Sequence, residues 1–169
     1  MHAATRGIAT VVAAFLLLPG CSSDPAQLTV ELVEPATATP QYFHGNCFAG
    51  FSVAVGLRVR ETSFVGVFLD SFSYRVLDEG TGFEVAADAL DRAGLDEFFG
   101  AMASVLVGGG SRDYPLGGRS DDPVGPLLVS GEIAGRDENG KSVRTSFNLR
   151  ATLNVIDQEP PGSGACTVN

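Results

Sequence analysis

The sequence predicts an all-β fold: an antiparallel β-sandwich of about seven strands with a short helical insertion near 86-100. Three observations carry that expectation. Phe51, Val53, Val55, Leu57 and Val59 alternate with Ser52, Ala54, Gly56, Arg58 and Arg60, the period-two pattern of a strand with one buried and one wet face. After the break Glu61-Thr62-Ser63, Val65, Val67 and Leu69 share one parity and Phe72, Tyr74 and Val76 the other. The apolar face thus changes side near Asp70-Ser71, where a bulge or kink would re-aim the strand. Near the end, Asn139-Gly140 sits between two alternating runs, and this dipeptide suits the positive backbone angles of a hairpin turn.

The remaining elements follow in order. Leu28, Val30 and Leu32 alternate with Thr29, Glu31 and Val33, giving a first strand over 27-33. Glu34 to Pro40 contains two prolines that cannot donate to a ladder, so it predicts an edge crossing between sheets. The two central strands occupy 50-60 and 64-77. Asp78-Glu79-Gly80-Thr81-Gly82 is a turn by composition, followed by a short strand over 82-86. Ala86, Leu90, Phe98, Met102 and Leu106 recur at helical spacing. Gly94 and Gly100 interrupt that face, so the segment predicts a broken helical crossover, with Asp88 or Asp91 as its cap and a return to strand at 104-107. Gly108 to Pro126 is rich in Gly, Asp and Pro and predicts a long loop. Leu127 to Ala134 and Val143 to Val155 form the last hairpin, with the final strand long enough to cross the sandwich.

Ahead of this domain, Arg6 precedes the apolar run Ile8 to Leu18, and Pro19-Gly20-Cys21 follows. A positive start, about eleven apolar residues and a small residue before the cut compose a secretory signal, too short for a stable bilayer-spanning helix. Leu18-Pro19-Gly20-Cys21 resembles the lipobox of bacterial lipoproteins, with Pro19 departing from the usual small residue. The resemblance implies that Cys21 receives a diacylglycerol, with palmitate-type acyl chains, and becomes the mature N-terminus. It implies a membrane anchor on the cell envelope. Asp24, three residues on, does not match the usual inner-membrane retention signal, which favours the outer membrane or cell surface. The chain then divides into signal peptide 1-20, lipidated tether 21-26, β-sandwich domain 27-156 and C-terminal tail 157-169.

Loss of residues 1-20 removes Arg6 and no acid, taking the formal charge from −9 to −10. Such acidity argues against nucleic acid and against electrostatic docking on anionic lipid. In an exported protein, Cys47 and Cys166 predict a disulfide that would pin the C-terminal tail to the entrance of the strand 50-60. By loop entropy such a closure would contribute roughly 5 kcal/mol. His44 is the single histidine of the mature chain, so with Cys47 it assembles neither a zinc nor a copper site. No cofactor or metal is expected. Asp113, Asp121 and Asp122 would gather around a cation only by folding, since their spacing matches no calcium loop. Asp137, Asn139 and Gly140 open like a calcium loop but lack its terminal Glu, which favours a plain turn.

Strand order, the Arg58 to Thr62 exit of the second strand and the Asp137 to Lys141 hairpin resemble immunoglobulin-like and fibronectin type III-like domains of bacterial lipoproteins. The chain contains no Trp, so Phe51, Phe72 and Tyr74 would have to fill the space of the core Trp of those families. A sandwich fold, an acidic surface and the lack of a nucleophile-and-base arrangement point to a non-catalytic binding or structural module held at the envelope by its lipid, with an envelope protein or polysaccharide as a candidate partner. The competing class is a hydrolase using a pair among Asp88, Asp91, Asp96 and Glu97, which requires one carboxylate buried opposite another. A Ser triad is poorly supported, because no Gly-x-Ser-x-Gly occurs and His44 is the only candidate base.

Overall fold

A computed structural model describes residues 24-43, 47-122 and 125-156. Among these described residues, nine strands and one helix follow in order: β1 (Leu28–Phe43), β2 (Cys47–Glu61), β3 (Val67–Asp78), β4 (Glu84–Asp91), α1 (Arg92–Phe99), β5 (Val105–Leu106), β6 (Ser111–Ser120), β7 (Leu127–Asp137), β8 (Ser142–Ala151) and β9 (Leu153–Val155). They form two sheets, β6-β2-β1-β9 and β4-β3-β7-β8, with β5 added to β3. All ladders are antiparallel except β1 with β9. The protein is thus an all-β, two-sheet sandwich with more strands than the alternation alone suggests. No helix among the described residues is long and apolar enough to cross a membrane.

β2 lies between β1 and β6 and buries the expected face, with Val53, Val55, Leu57 and Val59 all within 4 % of full burial. Each such side chain removed from water contributes about 1.5–3 kcal/mol. On the opposing sheet the parity change in β3 is a bulge: Leu69 pairs with Gly135, Ser71 with Ala134, and Asp70 is left over. The bulge turns Val67, Leu69, Phe72, Tyr74 and Val76 to the same interior.

The centre of the core is aromatic. Phe72 packs against Tyr74, Phe99, Tyr114 and Phe147, with ring centroids 5.7, 6.3, 5.2 and 6.3 Å away. Phe51, expected here, is only half-buried and meets exposed Phe48 edge to face, with ring centroids 5.1 Å apart. Tyr114 takes the space instead, fully buried and donating its hydroxyl to the Ala103 carbonyl at 2.7 Å. Burial pushes its phenol up to about 12.

Four boundaries and one turn differ from the alternation-based expectations. Glu34 to Pro40 does not cross between sheets: β1 continues along β2 to Phe43, and an irregularity between Val33 and Thr37 absorbs Pro35. The expected long loop contains β6, whose Pro115 is tolerated because the strand lies at a sheet edge. β4 extends through Asp91, so the helix is confined to Arg92–Phe99, where Asp91 caps it by accepting from Gly94 N–H at 2.8 Å. The last strand breaks at Thr152, and β9 joins the opposite sheet beside Ala36, Thr37 and Ala38. In the β7–β8 hairpin only Gly140 has a positive φ, 79°, which gives a type I turn with a glycine bulge rather than a primed turn.

Candidate functional site

Both ends of the sandwich are organised by acids buried at the ends of strands. Glu61 closes β2 and is 1 % exposed. Its carboxylate accepts from Ser63 N–H at 2.5 Å and Val65 N–H at 3.2 Å, and from Gly109 N–H at 2.7 Å. Asp137 closes β7, 2 % exposed, and accepts from Asn139, Lys141 and Ala26 N–H at 2.9, 2.8 and 3.3 Å. Burial alone would raise the Asp137 carboxyl, but donation from Lys141, Ala26 and Asn139 together holds it below the usual range. These two carboxylates sit at one end, where Leu28 pairs with Glu61 and Val67 with Asp137. The incoming chain is fastened there as well, since Thr62 N–H donates to the Gln27 carbonyl at 3.0 Å.

Asp78 closes β3 at the opposite end and is 3 % exposed. It accepts from Thr81 N–H at 2.7 Å, from the Thr81 hydroxyl at 2.8 Å and, in a short contact, from Gly125 N–H. Beside it opens a cleft of about 390 Å³ lined by Asp78, Thr81, Phe83, Ser120, Asp121 and Asp122. Phe83 is about half-exposed, 53 %. The buried carboxylate is committed to backbone and Thr81 donors, so the groups offered to a ligand are the Phe83 ring and the exposed Asp121 and Asp122. An aromatic face beside acids fits a polar, hydroxyl-bearing or cationic group.

The Gly125 N–H, followed by the Thr81 hydroxyl, holds the Asp78 carboxyl below its ordinary value. The unfolded chain takes up this proton first as pH falls, near the ordinary carboxylate value of about 3.9. The Asp78 contribution is therefore complete above that pH and is lost as pH falls through the lower folded-state value. Thermal melts from pH 7 to pH 2 should show a decline in Tm that begins near pH 4. Asp78→Asn should make that decline shallower, and a variant with the slope of the parent would show that Asp78 does not couple to folding.

The acids singled out between 88 and 97 are not brought together in a cleft. Asp91 caps α1, and Asp96 accepts from Ser104 N–H at 2.8 Å, which holds its carboxyl low. Asp88 accepts from its neighbour Ala89 N–H at 2.7 Å, pairs across the ladder with Tyr74 and adds to the upward shift that burial gives that phenol. Glu97 is exposed. Asp113 is held by Arg58 in two hydrogen bonds of 2.7 and 2.8 Å, which keep its carboxyl low. It lies near the start of β6, whereas Asp121 and Asp122 follow the other end of that strand and rim the cleft. Among the described residues no group of three His, Cys, Asp or Glu is placed to hold a metal. Cys47 opens β2 opposite Phe43. Cys21, His44 and Cys166 lie outside the described residues.

In the sequence, Glu61 and Asp78 read only as turn residues and Asp137 as part of a hairpin. The available signal was an acid at the last position of an alternating run, followed within four residues by Gly, Ser or Thr.

No family model matches the chain, and no curated protein matches it. Among solved structures it is similar to the ApaA protein from Bordetella pertussis, at 17 % identity over 76 % of this chain and 95 % of that one, TM-score 0.49. It is also similar to the C-terminal domain of Wzt, at 9 % identity over 85 % of this chain and 89 % of that one, TM-score 0.40. A third likeness is to the sporulation control protein Spo0M from Bacillus subtilis, at 12 % identity over 77 % of this chain and 49 % of that one, TM-score 0.31. Likenesses at these levels carry no activity, ligand or partner to this chain.

Proposed function

We propose that this protein is a lipid-anchored module of the bacterial cell envelope, an immunoglobulin-like or fibronectin type III-like sandwich with a non-catalytic binding or structural role. Cys21 carries the lipid, at the outer membrane or cell surface, and the domain presents the cleft beside Asp78 to an envelope protein or polysaccharide. The observation that carries this reading is the opposition of the two ends. The tether enters beside Glu61 and Asp137, whereas the cleft lies at the other end of the strands. An anchored domain built this way holds its concave surface away from the bilayer. The dispersal of Asp88, Asp91, Asp96 and Glu97 into separate local roles supports a binding module over a hydrolase.

A Cys47–Cys166 disulfide belongs to the same reading. Cys47 is at the cleft end, is not free, and the chain leaves β9 heading toward that end beside Ala38. The bond would fasten the tail where a ligand is met.

Intact mass of the membrane-extracted protein, with and without reduction and alkylation, tests both points. The expected product lacks residues 1-20, carries a diacylglycerol on Cys21 and alkylates at Cys47 and Cys166 only after reduction. A soluble product without lipid removes the anchor. Two thiols that alkylate without reduction remove the disulfide.

A further inference from the structure

We propose that the tether end of the sandwich rests on the bilayer through Phe64 and Val107, so that the lipid and this apolar tip together fix the orientation of the domain. The proposal deepens the lipid-anchored reading and rests on it.

Phe64 is 83 % exposed and Val107 is 70 % exposed, more than the other large hydrophobic side chains among the described residues. They occupy the two loops that meet at this end. Phe64 lies in the connection between β2 and β3, and Val107 follows β5 in the connection to β6. The loops are joined through Glu61, whose carboxylate accepts from Val65 N–H on one side and Gly109 N–H on the other.

The exposure of Phe64 is built in rather than incidental. Its φ is 59°, a left-handed conformation uncommon for an aromatic residue. Glu61 holds it there by accepting from Ser63 and Val65, the residues on either side. Gly108 and Gly109 leave room for it: a β-carbon at Gly108 would come within 2.6 Å of the Phe64 carbonyl, and one at Gly109 within 2.8 Å of its ring. A buried acid and two glycines thus maintain a conformation that turns an apolar ring outward. Strained, well-supported backbone of this kind marks surfaces with a use.

Tether length decides the occupant. Ala26 N–H is fixed to Asp137, and Gln27 exchanges contacts with Thr62 and Ser63, next to Phe64. Five Cα-to-Cα steps lead from Cys21 to Ala26, and fully extended they span at most about 18 Å. A lipid on Cys21 therefore holds Ala26 within about 18 Å of its insertion point, which keeps this end of the sandwich, and not the cleft end, beside the bilayer. The exposed Phe64 ring and Val107 isopropyl group at this end are within reach of the bilayer interface. The acidic chain makes zwitterionic lipid the suitable surface.

The test uses the absence of Trp from the chain, which makes an introduced one the sole indole reporter. Lipidated full-length protein carrying Phe64→Trp is placed on vesicles of phosphatidylcholine brominated on the acyl chains. Phe83→Trp, at the cleft end, serves as the control, and flotation with intact mass reports the anchor independently. Emission from position 64 is expected to shift to the blue and to fall by half or more on brominated lipid, while position 83 is unchanged. Protein that floats and carries its lipid, yet shows position 64 unquenched or both positions quenched alike, overturns the orientation and leaves the anchor standing. Protein without lipid that does not float overturns both.

Discussion

Tyr114→Ala is expected to destabilise the domain by about 3–5 kcal/mol, the range for deleting a large buried aromatic side chain. The ring is fully buried and lies 5.2 Å from both Phe72 and Phe99, so its loss leaves a cavity bordered by both sheets and by the end of α1. The hydroxyl is a separate quantity. Tyr114→Phe keeps the ring and removes only the donor to Ala103, at a cost of about 1–3 kcal/mol because the buried carbonyl then lacks that partner. Denaturant melts of the two variants separate these contributions if the m-value is unchanged. A midpoint for Tyr114→Ala close to that of the parent would mean that β6 does not pack where the structure puts it.

That residue also shows what could be read from the sequence and what could not. β2 was legible because four branched aliphatic residues alternate with small or charged ones, and the bulge at Asp70 because the parity of β3 visibly changes. The β7–β8 hairpin was legible as local chemistry, and so was the helix cap as a choice between Asp88 and Asp91, which the structure decides for Asp91. β6 was not. Its inward positions include only Tyr114 and Leu116 as large apolar side chains, and Pro115, Gly117 and Gly118 give it the composition of a loop. Pairing with β2 over ten residues supplies the ladder that composition does not announce. The site was legible only in part for a related reason. The acidic turns could be seen, but their burial depends on donors far along the chain: Gly125 for Asp78, Gly109 for Glu61 and Ala26 for Asp137, at separations of 47, 48 and 111 residues. Such pairings are a property of the assembled sheets, not of a local pattern.

The face of β2 offers the sharpest contrast between neighbouring positions. Val55 is 4 % exposed, pairs with Leu116 on β6 and faces the irregular stretch of β1 between Val33 and Thr37. Val55→Asp would place a carboxylate in this interior without a partner, and the available relief is protonation or unfolding. The expected cost is several kcal/mol, a large part of the roughly 5–15 kcal/mol that stabilises an ordinary domain, so the variant should be largely unfolded at neutral pH by circular dichroism. Ala54→Asp introduces the same charge one residue earlier, on the exposed face opposite Thr37 and Gly117, and should change stability by about 0.5 kcal/mol or less. Because side chains in a strand alternate between faces, a one-residue error in the register would exchange the two outcomes. Two variants with similar melting temperatures would be incompatible with β2 as the inward-facing strand of a sandwich.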